Sequence, residues 1–544
     1  MEHDFATRDA GEAPRRPQRL VFAFSVLSGA FLVLIPIARG ALEDVDRQYA
    51  NFGGIACGLL ALLFAQLAVS THRRVPWFLK VGVFILPVIV VGIFLAMYEF
   101  TGFNGEVWPM FRARGVLDRD RQAHAPTPAT PATALASSYR SAQFLGTNRN
   151  GVVESPEFSM RWDIHPPQEL WRRKIGEGWS SFAIANGMAI TLHQRDEHEV
   201  VSAWSLTTGE TRWEHEIPGR HYHPMGGLGP RSTPTLVSHH GRDLVLAQSS
   251  LGIVVCLDGS DGEKLWQVNL LARAGIDQKE SETQVMWGRS GSPLVVDDIV
   301  IVPMGGSPSL PANMHSLIAL ELADGTERWV GGDTQISYAS PALLTIDGQR
   351  QIVSVNEGSV TGHNVATGVV LWSIPWPSKS NADACASQPV QVDVSKILLG
   401  KGYAQGSKLI EVRRDSKGDG ESSGWMVQDI WAKPRVLKTK FTNAVIYGGK
   451  AYALSDGVLE CVDPFTGDRV WRGPRYGQGQ MLVVNGTILV SAEDGRIASL
   501  DRTTGQVQRE LQVLDGVTWN LPAIAGPYLL LRNGSEAVCL TSPR

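Results

Sequence analysis

Cysteine is scarce in this chain: five residues in 544. They include no Cys-x-x-Cys-His motif, which argues against a covalently attached haem. Cys57 lies in an apolar run, Cys385 in a loop, and Cys256, Cys461 and Cys539 at equivalent positions of a repeat. That distribution does not make the disulfide framework of a small secreted scaffold. Charge is also thin. Only 19% of residues are charged and the formal net charge is −4, so there is no general electrostatic reason to expect nucleic acid as a partner. No Gly-x-x-x-x-Gly-Lys-Ser/Thr loop is present to cradle a phosphate. The histidines suggest no metal site. His239-His240 fall in a hairpin turn, where neighbours at a strand end should point apart, and His221 and His223 have no evident third ligand.

What the chain does have is repetition. Thr208-Gly209-x-x-x-Trp213, Asp261-Gly262-x-x-x-Trp266, Asp324-Gly325-x-x-x-Trp329, Thr367-Gly368-x-x-x-Trp372 and Thr466-Gly467-x-x-x-Trp471 are five copies of one pattern. Each follows a short apolar strand such as 253–257, and each Trp opens the next strand. The Gly supplies the positive φ of a tight turn, and the Trp a flat face to pack on a neighbouring sheet. A four-strand unit recurring every 40 to 60 residues reads as a propeller blade. Units start at Phe182, Pro234, Pro293, Pro341, Pro389, Asn443, Met481 and Pro522. The fifth has lost its Thr-Gly turn and carries a polar insertion, Arg413 to Gly424, before Trp431. The seventh keeps Thr504-Gly505 but has no Trp. The eighth stops one strand short, and Leu170 to Ile175, with Trp171, is predicted to supply that strand and close the ring. The expectation is an all-β, eight-bladed propeller over 139–544, with seven blades as the alternative. Trp171, Trp213, Trp266, Trp329, Trp372, Trp431 and Trp471 are the expected blade-docking residues.

Three apolar runs precede it, at about 20–38, 52–69 and 78–98, each near the length of a membrane-crossing helix. A cleaved signal would be a single run. Arg15, Arg16 and Arg19 flank the first span, Glu43, Asp44 and Asp46 follow it, and His72, Arg73 and Arg74 follow the second. The positive-inside bias makes 1–19 cytoplasmic and places everything after the third span outside, on the periplasmic face of an inner membrane. Residues 99–138 are expected to be a linker, rich in Ala, Pro and Thr in its later part.

The run Leu257-Asp258-Gly259-Ser260-Asp261-Gly262-Glu263-Lys264-Leu265-Trp266 resembles the Trp-docking motif of the pyrroloquinoline quinone (PQQ)-type propeller repeat family. Gly229 to Pro234 and Arg475 to Gly479 look most like a membrane-attached bacterial subgroup. The resemblance covers about 139–544. The family includes quinoprotein alcohol and sugar dehydrogenases and non-enzymatic propellers of the BamB type, so the fold does not choose between them. For an enzyme the resemblance implies bound PQQ, a Ca²⁺ and an Asp base. Asn381 and Asp383 are the nearest candidates here, and the family's Cys-Cys pair is absent. For a scaffold it implies loops or strand edges offered to a periplasmic or membrane protein partner. The chain departs from BamB in lacking a lipoprotein cysteine near the N-terminus and in having three spans.

In a propeller, the segment before each innermost strand lines one mouth of the central channel. Here those segments hold Trp179, Arg231, Trp287, Arg289, Tyr338, Lys440, Arg475, Tyr476 and Trp519. Convergent guanidinium groups suit carboxylate or phosphate, and the aromatic rings suit a planar or sugar ring. These nine are the candidate ligand-binding residues, for a small anionic or aromatic ligand. The alternative is that the arginines bind blade carbonyls and the aromatics plug the channel. No catalytic residue is identified. The chain is predicted to be a membrane-anchored binding or scaffold module, with a PQQ-dependent dehydrogenase as the alternative.

Overall fold

Two units divide the chain between residues 119 and 120. The computed structural model describes residues 16–43, 47–114, 138–378, 380, 383–415 and 424–542. In the first unit, α1 (Arg16–Glu43), α2 (Arg47–Thr71) and α3 (Trp77–Met97) coincide with the three predicted spans. Each contains 20 or more residues apolar enough to cross a bilayer. Phe24 and Phe31 of α1 both stack on Phe64 of α2, with centroids 6.1 and 5.6 Å apart. Ser28 donates to the carbonyl of Ala61 at 2.9 Å. Such small residues let two helices approach closely. A hairpin, Tyr98–Phe103 with Pro109–Ala113, then occupies the start of the stretch expected as linker. The Ala/Pro/Thr-rich part of the linker, Arg15, Asp44, Asp46, Asn381 and positions 416–423 of the polar insertion lie outside the described residues.

The second unit is a β-propeller. Among the described residues, eight sheets of four or five strands follow one another at 183–218, 235–269, 294–331, 342–375, 390–433, 445–475, 480–512 and 523–541. They are called sheets 1 to 8 below. Sheet 8 takes its fourth strand from upstream: Gln168–Lys174 pairs with Glu536–Thr541, setting Trp171 opposite Cys539. This is the closure predicted from the missing strand. Eight buried apolar clusters each bridge one consecutive pair of sheets. The last joins Leu530 and Cys539 of sheet 8 to Phe182 and Trp204 of sheet 1, and the ring is complete.

The middle strands are buried on both faces. Ile299–Gly305 is buried at every residue, because a neighbouring sheet covers each side. The outermost strands alternate, as in Lys264–Asn269.

The repeat pattern has a second purpose beyond the turn. The indoles of Trp171, Trp213, Trp266, Trp329, Trp431 and Trp471 lie on the turn glycine of the following sheet: Gly209, Gly262, Gly325, Gly368, Gly467 and Gly505. In every case a β-carbon on the glycine would stand less than 3.0 Å from the ring. Each indole N–H also donates into that next turn, for example Trp266 to the carbonyl of Leu322 at 2.9 Å. Trp372 differs. Sheet 5, which it would dock on, has lost the Gly turn, and Trp372 donates instead to Gln351 Oε1 of its own sheet at 2.7 Å. Sheet 7 lacks the Trp, and the sheet after it, closed from upstream, lacks the turn. Leu145, Phe158, Met160 and Trp162 fill that interface. Opposite the docking Trp stands a small residue in most sheets: Ala203, Cys256, Ala319, Gly362, Cys461 and Cys539. The three cysteines are buried, free thiols acting as small apolar side chains.

Residues 141–155 touch all eight sheets. Ser141 bridges Ile184 of sheet 1, and the N–H of Leu236 in sheet 2 donates to Ala142 at 2.8 Å. Arg149 donates to the carbonyls of Ser292 and Pro293, entering sheet 3, at 2.7 and 3.1 Å, and of Pro341, entering sheet 4, at 3.2 Å. Gln388, entering sheet 5, donates to the Arg149 carbonyl at 2.6 Å. Gly151 packs on Val445 of sheet 6. Val152–Val153 adds a parallel strand to sheet 7. Ser155 donates to Gly526, in the first turn of sheet 8, at 2.8 Å. Together these residues close the channel from the side of the first hairpin turns. Burial lowers the Arg149 guanidinium to about 9.

Candidate functional site

The opposite mouth carries the candidate residues. Just before sheet 2, a small hairpin, Tyr222–His223 with Gly227–Leu228, rises from the ring and leaves Tyr222 and Met225 exposed. The carbonyl of Gly226 at its tip accepts from Trp179 Nε1 at 2.7 Å and from Arg231 at 2.5 Å. Trp287 donates its indole N–H to His223 Nδ1 at 3.0 Å and lies 5.0 Å from the Tyr338 ring. Tyr338 shares a buried cluster with Tyr403. Lys440 Nζ sits over the rings of Tyr403 and Phe441, 5.1 and 5.6 Å from their centroids. Phe441 lies 5.3 Å from Trp519, and Trp519 4.6 Å from Trp179. These contacts form a continuous belt around the mouth.

Of the nine candidate residues, the structure brings Trp179, Trp287, Tyr338, Lys440 and Trp519 together. The guanidinium groups do not converge on an open space. Arg231 is held by the carbonyls of Gly226 and Gly229. Arg475 donates to the carbonyl of Asp456 at 3.0 Å. Arg289 turns away altogether: it is 1% exposed, donates to Met304 O at 3.1 and 3.3 Å and to Ser281 Oγ at 2.5 Å, and sits between sheets 2 and 3. Burial lowers both Arg231 and Arg289 to about 10. Tyr476 also leaves the mouth, its hydroxyl donating to Glu510 at 3.0 Å between sheets 6 and 7. Arg289 and Tyr476 are corrections to the predicted set. An unpaired buried carbonyl is costly, and a nearby guanidinium is drawn to it rather than to the mouth.

The sequence reading missed Phe441, Tyr403 and Glu493, and weighed His223 only as a metal ligand. Glu493 accepts from Trp519 Nε1 at 2.7 Å and fixes that ring. Phe441 adjoins Lys440 and was open to the same argument. Tyr403 lies between the second and third strands of sheet 5, away from the segments considered. Behind Arg231 lies a buried group. Glu199 accepts from the Ser250 N–H at 3.0 Å and from its hydroxyl, and burial raises it to about 7. His221 is lowered to about 3 by burial, then by Arg231 and His223. The acids near the mouth have partners: Asp383 meets Lys401 at 2.5 Å, and Asp456 meets Lys438 at 3.5 Å.

A family model described as "Outer membrane protein assembly factor BamB" matches residues 160–289, 197–417 and 423–540. The chain belongs to this family. Its members share the PQQ-type repeat, and the match begins just before the strand that closes the ring. An outer membrane protein assembly factor BamB from Moranella endobia (strain PCIT) is 24% identical over 276 residues, covering 48% of this chain and 63% of that protein. The chain thus spans less than two thirds of that relative's length. Among solved structures, BamB from Moraxella catarrhalis aligns with a TM-score of 0.45 at 14% identity, covering 69% of this chain and 99% of that one. A europium-containing methanol dehydrogenase aligns with a TM-score of 0.41 at 12% identity, covering 74% and 98%.

Proposed function

We propose that this protein is a membrane-tethered, eight-bladed propeller that binds a protein partner at its aromatic mouth and serves as a scaffold in envelope protein assembly. The observation that carries this reading is the commitment of Arg231, Arg289 and Arg475 to backbone carbonyls, while Trp179, Trp287 and Trp519 stay half-buried beside exposed Tyr222 and Met225. Half-exposed aromatics with fixed N–H partners suit the anchor pockets of a protein interface. They offer little to the carboxylates of PQQ. The blade count rests on the eight sheets and the eight clusters that join them. The family's description of BamB as an assembly factor supports the role.

What weighs against the dehydrogenase reading is the fit. A PQQ–Ca²⁺ centre needs free oxygen ligands, and Asp383, the nearest described candidate, is ion-paired with Lys401. The three apolar helices and the basic His72-Arg73-Arg74 loop support a cytoplasmic N-terminus and a periplasmic propeller at the inner membrane. Alkaline phosphatase fused after residue 544 is then active, and fused after residue 74 inactive.

The test of function places a photo-crosslinking residue at 222 or 225 of the full-length protein in cells. A discrete adduct with one envelope protein, lost in Trp179→Ala/Trp519→Ala, is expected. Saturable binding of PQQ with Ca²⁺, with dye reduction on an alcohol or sugar, overturns it.

A further inference from the structure

On the face opposite the mouth, two hairpin turns of neighbouring sheets bring three metal-ligating side chains together. In sheet 2, His239 pairs with Arg242, leaving a two-residue loop of His240 and Gly241, both at positive φ (49° and 80°). Positive φ at both loop residues is the type I′ pattern of a two-residue hairpin. The two imidazoles, expected to point apart, are instead 4.1 Å apart, centroid to centroid. The matching turn of sheet 3 is Asp297-Asp298, between Val296 and Ile299. Asp298 Oδ1 lies 3.4 Å from His239 Nε2. One ligand atom from each of the three lies within 4.8 Å of the others.

The nearest charges are paired elsewhere, although Arg328, paired with Glu321, is also within electrostatic reach of Asp298. His239 Nε2 is buried and makes no hydrogen bond. Asp297 is occupied by Arg350, and Arg242 and Arg328 are paired with Asp258 and Glu321. His240 and Asp298 are exposed. They can therefore close by the fraction of an ångström to about an ångström that coordination at roughly 2.0–2.2 Å requires.

We propose that His239, His240 and Asp298 form a divalent transition-metal site that clamps the turns of sheets 2 and 3. Two imidazole nitrogens and one carboxylate oxygen are a borderline donor set. They suit Zn²⁺, and by the same chemistry Ni²⁺ or Cu²⁺, over Mg²⁺ or Ca²⁺. Three protein ligands leave a fourth position to water. The clamp joins two blades, so the ion stabilises the folded ring in proportion to its occupancy.

The experiment uses the full-length protein in detergent, with any histidine tag removed and residual metal stripped. Zn²⁺ is titrated by calorimetry, and the melting temperature is read with and without it. One saturable equivalent is expected, with a higher melting temperature, and Mg²⁺ at the same concentration should do neither. His240→Asn and Asp298→Asn each change an exposed side chain and are expected to weaken binding by about tenfold or more. They should also abolish the Zn²⁺-dependent rise while leaving the metal-free melting temperature unchanged. No saturable binding, or equal binding by both variants and the wild type, overturns the assignment.

Discussion

The indole of Trp171 lies on Gly209, its ring carbons about 3 Å from where a β-carbon would stand, and its N–H reaches the carbonyl of Leu206 at 2.9 Å. Trp171 belongs to the strand that completes sheet 8, and Gly209 to a turn of sheet 1. The contact therefore joins the two ends of the ring, and it repeats the contact made between sheets 1 and 2, 2 and 3, 3 and 4, 5 and 6, and 6 and 7.

Opening that joint should unlatch the ring. Trp171→Ala is expected to cost about 3–5 kcal/mol, the usual loss for a large buried aromatic. Hydrogen exchange should rise first at Glu536–Thr541, which pairs with the Trp171 strand, and at His198–Ser205 and Thr211–Pro218, which flank the Gly209 turn. A uniform rise across all eight sheets would show that Trp171 does not act at the closure.

The docking glycines can be separated from ordinary turn glycines. Gly262 and Gly241 have nearly the same φ, 77° and 80°, but a β-carbon on Gly262 meets the Trp213 ring, and on Gly241 it meets open space. Gly262→Ala and Gly241→Ala share the left-handed backbone penalty of about 1–2 kcal/mol. Gly262→Ala should lose roughly 1–3 kcal/mol more through overpacking. Urea midpoints of the two variants measure the difference, and equal midpoints would leave the Trp contact without energetic weight.

Arg149 is the residue that holds residues 141–155 inside the ring. Arg149→Ala would leave the carbonyls of Ser292 and Pro341 without the guanidinium donor, while Pro293 keeps the Thr235 hydroxyl at 2.7 Å, at a cost of about 3 kcal/mol. Limited proteolysis should then cut between residues 140 and 158, where the wild type resists. Retained resistance in the variant would mean the parallel strand at Val152–Val153 suffices.

Glu199 gives the pH test. The folded carboxyl holds its proton to about pH 7, and the unfolded one ionises near 4.5. The folded state binds more protons in that window, so this contribution is fully present below pH 4.5 and is lost as pH rises through 7. Its size is on the order of 3 kcal/mol. His221 works the other way. Its folded value of about 3 lies below the unfolded 6.5, so that contribution is present above pH 6.5 and lost on acidification. Glu199→Gln should gain melting temperature relative to wild type between pH 5 and pH 8. A difference that stays constant with pH would remove Glu199 as the cause.

The repeat spacing, the Gly-Trp pattern and the missing final strand were enough to infer a propeller of four-strand sheets, closed by an upstream strand, and three apolar helices before it. Those features are local: a turn glycine, a strand period and a span length each act within a few residues, so they can be read in order along the chain. The partners of side chains that meet across the ring were not legible in that way. Arg289 and Trp287 stand two positions apart, yet Trp287 joins the aromatic belt and Arg289 turns to the carbonyl of Met304. Arg149 was invisible as a latch because its three acceptors lie more than 140 residues away. His239 and His240 stand together because His240 lies in the turn at positive φ, outside the extended strand to which alternation applies. Local backbone geometry follows from residue type. Which donor meets which acceptor depends on the burial that arises only once the sheets have closed.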